Sequence, residues 1–164
     1  MTLSATKPSS QNPKTSDWKI NLLYDGACPL CVREVNFLQK KDAGRGLVKF
    51  TDIADLDYSP EENGGIDFET AMGRIHAVRA DGTIVKNVAV FREVYDALGI
   101  GWMYAPTKWP VIGPVVDKLY DLWADWRLSM TGRPDLDQVM AERQAKMEEL
   151  NERLNEGRCR VGET

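Results

Sequence analysis

The chain has 164 residues, enough for one domain with tails rather than two independent cores. It is 43% hydrophobic and 28% charged with a formal net charge of −4, so no basic field is present to gather nucleic acid or anionic lipid. No apolar run approaches the roughly eighteen residues of a membrane span, and residues 1–17 hold no apolar segment of the secretory kind.

Residues 1–17 are rich in Ser, Thr, Lys and Pro and read as a flexible leader. Having no acid before Asp17, they resemble an organelle transit peptide, but they are short and lack Arg, so a cytoplasmic protein is the expectation. Lys19 to Tyr24 is a mostly apolar run that suits a buried strand. Asp25-Gly26 turns the chain, with Gly26 expected to supply backbone freedom. From Cys28 to about Lys41 the pattern is helical, with Cys31, Val35 and Leu38 on one stripe and Pro29 at the first helical position. Gly44 and Gly46 stop that helix.

Leu47 to Thr51 alternates as a second strand, and residues 54–66 read as a polar loop. A short helix is expected at Asp67–Met72. Arg74–Arg79 and Thr83–Lys86, flanking Ala80-Asp81-Gly82, predict a hairpin. Asn87 is the expected cap of a helix through Leu98, with Val88, Phe91, Val94, Tyr95 and Leu98 inward and Gly99 ending it. Residues 100–113 read as a Trp- and Pro-rich loop. A helix over Pro114–Met130 shows Val115, Leu119, Leu122, Trp123 and Trp126 on one face, and Thr131-Gly132-Arg133-Pro134 breaks it. The last helix, about Asp135–Glu156, is highly charged. Its seam of Leu136, Met140, Met147, Leu150 and Leu154 is interrupted by Arg143.

Strand, helix, strand, hairpin and helix in that order predict an α/β fold: a thioredoxin-like mixed sheet flanked by helices, with extra C-terminal helices. The domain is expected over residues 18–134, with residues 135–164 a charged helix and tail. So narrow a seam suits another helix better than a core, which predicts self-association through this helix. Truncation after Pro134 is then expected to leave a folded, redox-active domain.

The three cysteines are Cys28, Cys31 and Cys159. An odd number, with two of them three apart and no secretory signal, argues against a structural disulfide framework and for a catalytic or metal-binding pair. Disulfide exchange needs a thiolate to attack and a second thiol to resolve the mixed disulfide. Cys28 stands where strand gives way to helix, and the unpaired N–H groups there stabilise a thiolate. It is the expected nucleophile and the thiol expected to be open to alkylation, with Cys31 in the first turn as resolver. Asp25 either makes the turn or moves protons to Cys31, and the two roles are compatible.

A zinc or iron–sulfur module through the same cysteines is the alternative reading. It lacks obvious further ligands, because Cys159 lies in a terminal tail and His76 reads as a packed mid-strand residue. No cofactor and no metal are therefore expected, and the partners are a thiol or disulfide substrate and an electron donor. A third reading is an interaction scaffold using Trp102, Trp109, Trp123 and Trp126, although aromatic residues at such spacing are more often core.

Tyr24-Asp25-Gly26-Ala27-Cys28-Pro29-Leu30-Cys31 resembles the opening motif of the DCC family of thiol–disulfide oxidoreductases, named for D-x-x-C-x-x-C. Met72-Gly73-Arg74-Ile75-His76 with Asp81-Gly82 looks like that family's middle strands. Leu119-Tyr120 through Trp126-Arg127-Leu128 resembles its Tyr…Arg helix. The resemblance covers about residues 19–134. It implies a thioredoxin-like fold with Asp25, Cys28 and Cys31 as signature residues. Thioredoxins carry a cis-proline where Gly73-Arg74-Ile75 stands here, and a buried acid where Leu22 stands. Both departures argue against broad protein-disulfide reduction.

Overall fold

The structure, a computed structural model, describes residues 17–130, 132 and 134–161, so most of the leader read at residues 1–17, and part of the Thr131–Pro134 break, lie outside it. The chain runs β1 (Ile20–Tyr24), α1 (Pro29–Asp42), β2 (Val48–Asp52), α2 (Phe68–Gly73), β3 (His76–Arg79), β4 (Ile84–Lys86), α3 (Val88–Ala97), α4 (Ile112–Met130) and α5 (Leu136–Val161). The four strands form one mixed sheet in the order β2-β1-β3-β4. β1 pairs parallel with β2, with Leu22 opposite Phe50, and antiparallel with β3, with Leu22 opposite Ala77. The architecture is α/β and thioredoxin-like, as the element order predicts.

Strand alternation sends β1 side chains to two different cores. Ile20 and Leu22 join Val35 and Leu38 of α1 and Val90 and Val94 of α3. Leu23 joins Ile53, Met72 of α2, Val78 and Val139 of α5 on the other face. Asn21 also faces that second side. Its buried amide donates to Asn63 Oδ1 (2.8 Å) and accepts from Thr51 Oγ1 (2.7 Å). Asn63 in turn donates to the Ser59 carbonyl at 2.8 Å. The segment read as a polar loop is therefore anchored to the sheet, and it contains a 3-10 turn at Glu61–Asn63.

The connections follow local chemistry. The Asp42 carboxylate accepts from the Gly46 and Leu47 amides (2.7 and 2.9 Å), tying the end of α1 to the start of β2. Asp67 caps α2 by accepting from the Thr70 amide at 2.7 Å. The hairpin closes through Asp81, whose carboxylate accepts from the Thr83 amide, and through Gly82 at a φ of 86°.

Several expectations are corrected. Asn87 stands at the N-cap of α3, as the sequence predicts, but makes no side-chain cap bond. It sits at a φ of 57°, which asparagine tolerates better than most residues, while its amide donates to the Ile75 carbonyl. Residues 101–108, expected as loop, form a 3-10 helix held against α3: Arg92 donates to Thr107 twice, and Tyr104 packs on Phe91 and Tyr95. Trp102, Trp109 and Trp126 are exposed rather than core, and Trp123 is half-buried.

On α4 the inward face is not the one read from the sequence. Tyr120, Ala124 and Arg127 are buried, whereas Val115, Leu119, Leu122 and Trp126 face outward. The reason is polar. Tyr120 Oη accepts from the Ile75 amide at 3.1 Å, and Arg127 Nη2 donates to the Met72 carbonyl, so α4 supplies partners to backbone groups where α2 gives way to β3.

The charged last helix is also docked at its start. Val139 is 5% exposed within the second core, and Leu136 packs beside it. Arg143, read as an interruption, is an anchor: it donates to the carbonyls of Ile53 and Ala54 and stacks on the Phe68 ring at 4.3 Å. The helix continues through Val161, over the stretch assigned to a tail. The Cys159 side chain lies outside what the structure describes.

Candidate active site

β1 ends at Tyr24, and the next four residues reverse the chain into α1. Asp25 makes the turn with both its backbone and its side chain. Its carbonyl accepts from the Cys28 amide (3.1 Å), and its Oδ1 accepts from the Ala27 amide (3.0 Å). Gly26 is needed for a different reason than the one expected. Its amide donates to Asp52 Oδ1 at 2.8 Å, and a Cβ there would fall 1.7 Å from Asp52 Oδ2. A side chain there would push the Asp52 carboxylate off the Gly26 and Ala54 amides, so space beside β2, rather than a left-handed φ, favours glycine.

Cys28 occupies the N-cap position of α1, makes no side-chain cap bond and leaves Pro29 to start the helix. Cys31 follows one turn later. Both are unbridged thiols, Cys28 buried and Cys31 partly exposed. This exposure is the reverse of what the helix pattern led us to expect.

The acidity of Cys31 is strongly perturbed. Its thiol is pushed up to about 12, chiefly by burial. The charge on Cys28 and a hydrogen bond to that sulfur push the same way, Asp25 adds to them, and Arg127 opposes. The two sulfurs are close enough for each to act on the other, so the thiols titrate as a pair.

Cys31 also opens onto a cavity of about 270 Å³ between the sheet end, α1, α3 and α4. Asp25, Glu34, Phe91, Trp123 and Arg127 share its wall. Glu34 accepts from Tyr95 Oη at 2.7 Å. Tyr120, raised in pKa first by burial, is also coupled electrostatically to Cys31. The structure therefore brings Asp25, Cys28 and Cys31 together and adds α4 to them. Tyr120 and Arg127 were present in the sequence as the Tyr…Arg pair of the family resemblance, but they carried no site role there. Their signal was a polar pair set among the apolar residues of one helix.

His76 is buried on β3. Its Nδ1 lies 2.9 Å from the Arg74 carbonyl, which can only accept, so Nδ1 carries the proton. Among the described residues no group of three or more His, Cys, Asp or Glu side chains gathers to hold a metal ion. Nor is any described helix long and apolar enough to cross a membrane.

A dithiol at the start of the first helix, at the carboxyl end of a parallel strand, defines a protein of the thiol–disulfide class. The chain belongs to the DCC1-like thiol-disulfide oxidoreductase family, whose profile matches residues 22–133. It is 47% identical over 152 residues to an uncharacterized chloroplastic protein of Arabidopsis thaliana, an overlap of 92% of this chain and 70% of the relative. No solved structure matches the chain.

Proposed function

We propose that Cys28 and Cys31 are the exchange centre of a thiol–disulfide oxidoreductase, with Cys28 attacking and Cys31 resolving. The observation that carries the assignment is the place of Cys28 at the N-cap of α1, where free N–H groups favour an anion. Cys31 lies one turn on, with its thiol pushed up to about 12 chiefly by burial, so it is the member of the pair that holds its proton until the resolving step. This argument outweighs the greater exposure of Cys31, because the thiolate and not the thiol is the nucleophile.

The Cys28 thiolate attacks a substrate disulfide, forms a mixed disulfide and expels one substrate thiolate. Cys31 then gives up its proton, attacks the Cys28 sulfur and expels the second thiolate, leaving a Cys28–Cys31 disulfide. Two electrons pass to the substrate, and an external dithiol donor restores the pair. Asp25, buried beside Cys31, is the proton acceptor in the resolving step, alongside its part in the turn. The Arabidopsis relative's chloroplast label supports the organelle reading of residues 1–17 over the cytoplasmic one, which a fluorescent fusion with and without those residues tests.

For the chemistry, Cys31→Ser should accumulate a mixed disulfide on Cys28 that dithiothreitol releases, and Cys28→Ser should accumulate none. Trapping on Cys31 in the Cys28→Ser protein, with none on Cys28 in the reciprocal variant, would reverse the roles.

A further inference from the structure

α4 turns one face to the core and another, equally apolar, to solvent. Ile112, Val115, Leu119, Leu122 and Trp126 follow at alternating intervals of three and four, each between 36% and 61% exposed. That is the spacing of a coiled-coil seam on a helix of 19 residues, and exposed apolar stripes of this length mark contact surfaces. We propose that α4 of a second copy of this chain covers the seam, antiparallel about a two-fold axis.

The flanking charges select this occupant and this direction. In the antiparallel register Leu119 of one copy meets Leu122 of the other, and Val115 meets Trp126, small against large. Lys118 then stands opposite Asp125 of the second copy, and the two-fold axis repeats the pair. Lys118 is exposed and makes no ion pair within its own chain among the described residues. Asp125 meets Arg74 through Oδ1 at 2.9 Å, so its second oxygen is free to face Lys118. A parallel pair would set Lys118 against Trp123 and match neither charge.

The exposed Met147, Leu150 and Leu154 of α5 are a poorer cover. Glu148, Glu149 and Glu152 accompany them and would meet Asp121 and Asp125. An anionic membrane would meet the same acids. The opposite face of α4 carries Tyr120 and Arg127, so the pairing braces the helix that walls the cavity at Cys31.

Sedimentation velocity of the full chain under dithiothreitol, which removes cysteine-linked species, tests the proposal. A reversible dimer is expected at concentrations up to about 100 μM, where contacts of transient strength are populated. Leu119→Asp should give a monomer with an unchanged circular dichroism spectrum. Lys118→Glu and Asp125→Lys should each weaken the dimer about tenfold, and the double variant should recover most of that loss. The lost Arg74–Asp125 pair is common to Asp125→Lys and the double variant, so recovery isolates the contact between copies. A monomeric wild type, a dimer indifferent to Leu119→Asp, or a double variant as weak as the singles would each overturn the proposal. So would binding of the wild type to phosphatidylglycerol vesicles that Leu119→Asp abolishes without any change in mass.

Discussion

The two faces of the sheet are built by different means. The face against α1 and α3 is aliphatic and aromatic, with Leu22, Leu38, Val90 and Val94 at its centre. The face against α2 and α5 is smaller and carries Asn21 and His76 among its buried groups. Two regular helices with periodic apolar stripes cover the first. The second is covered by a six-residue helix, an irregular segment pinned through Asn63, and the opening turns of α5 held by Arg143. A face that cannot recruit enough periodic apolar surface is completed by directional hydrogen bonds, which tolerate burial only when every partner is present. The dithiol stands where β1, which feeds both faces, ends.

The contrast can be broken from either side. Leu38 is fully buried on the first face, and Leu38→Ala should lower the unfolding free energy by about 2–5 kcal/mol in urea titration. On the second face, ending the chain after Pro134 removes Val139 and both Arg143 hydrogen bonds. The expected cost is of similar size, about 3–4 kcal/mol, from one buried valine and two net hydrogen bonds. Ending it after Gln144 should cost little, because both anchors remain. Equal stability of the two truncated chains would show that α5 is not part of this face.

The same contrast governs how much could be read in advance. The first face was legible because its determinants are local and periodic: the Val35–Leu38 stripe, the alternation of β2 and the apolar side of α3 all announce themselves within a few residues. The dithiol was legible because Pro29 and the cysteine spacing mark a helix start. The second face was not, because its determinants are pairs far apart in sequence. Asn21 reaches Asn63, and Arg143 reaches Ile53, and neither pairing has a period. On α4 the apolar count pointed to the wrong side, because Tyr120 and Arg127 are turned inward by backbone groups near Ile75 and Met72 that no pattern within α4 discloses. Similarly, Gly26 looked like a turn residue, whereas the approach of Asp52 from β2 is what demands it.

The smallest expected effect sharpens the contrast by acidity. His76, the single histidine of the chain, faces the second core from β3. Its pKa is lowered by burial first and by Lys86, against the bond to the Arg74 carbonyl and the charge of Asp67. The folded state therefore prefers the neutral ring more strongly than the unfolded chain does. Its contribution is complete above the unfolded value of about 6.5 and is lost as the pH falls through the lower, folded value. The carboxylates titrate over part of the same range, but they are common to the wild type and to His76→Gln, so the difference between the two proteins isolates the ring. Denaturant unfolding of both from pH 7.5 to 5, a window set around the ordinary histidine value of about 6.5, should show a constant stability difference at the upper end. Toward the lower end the wild type should lose stability relative to His76→Gln. A difference independent of pH would mean that the imidazole takes up its proton without disturbing the fold, and that the second face is no more sensitive to charge than the first.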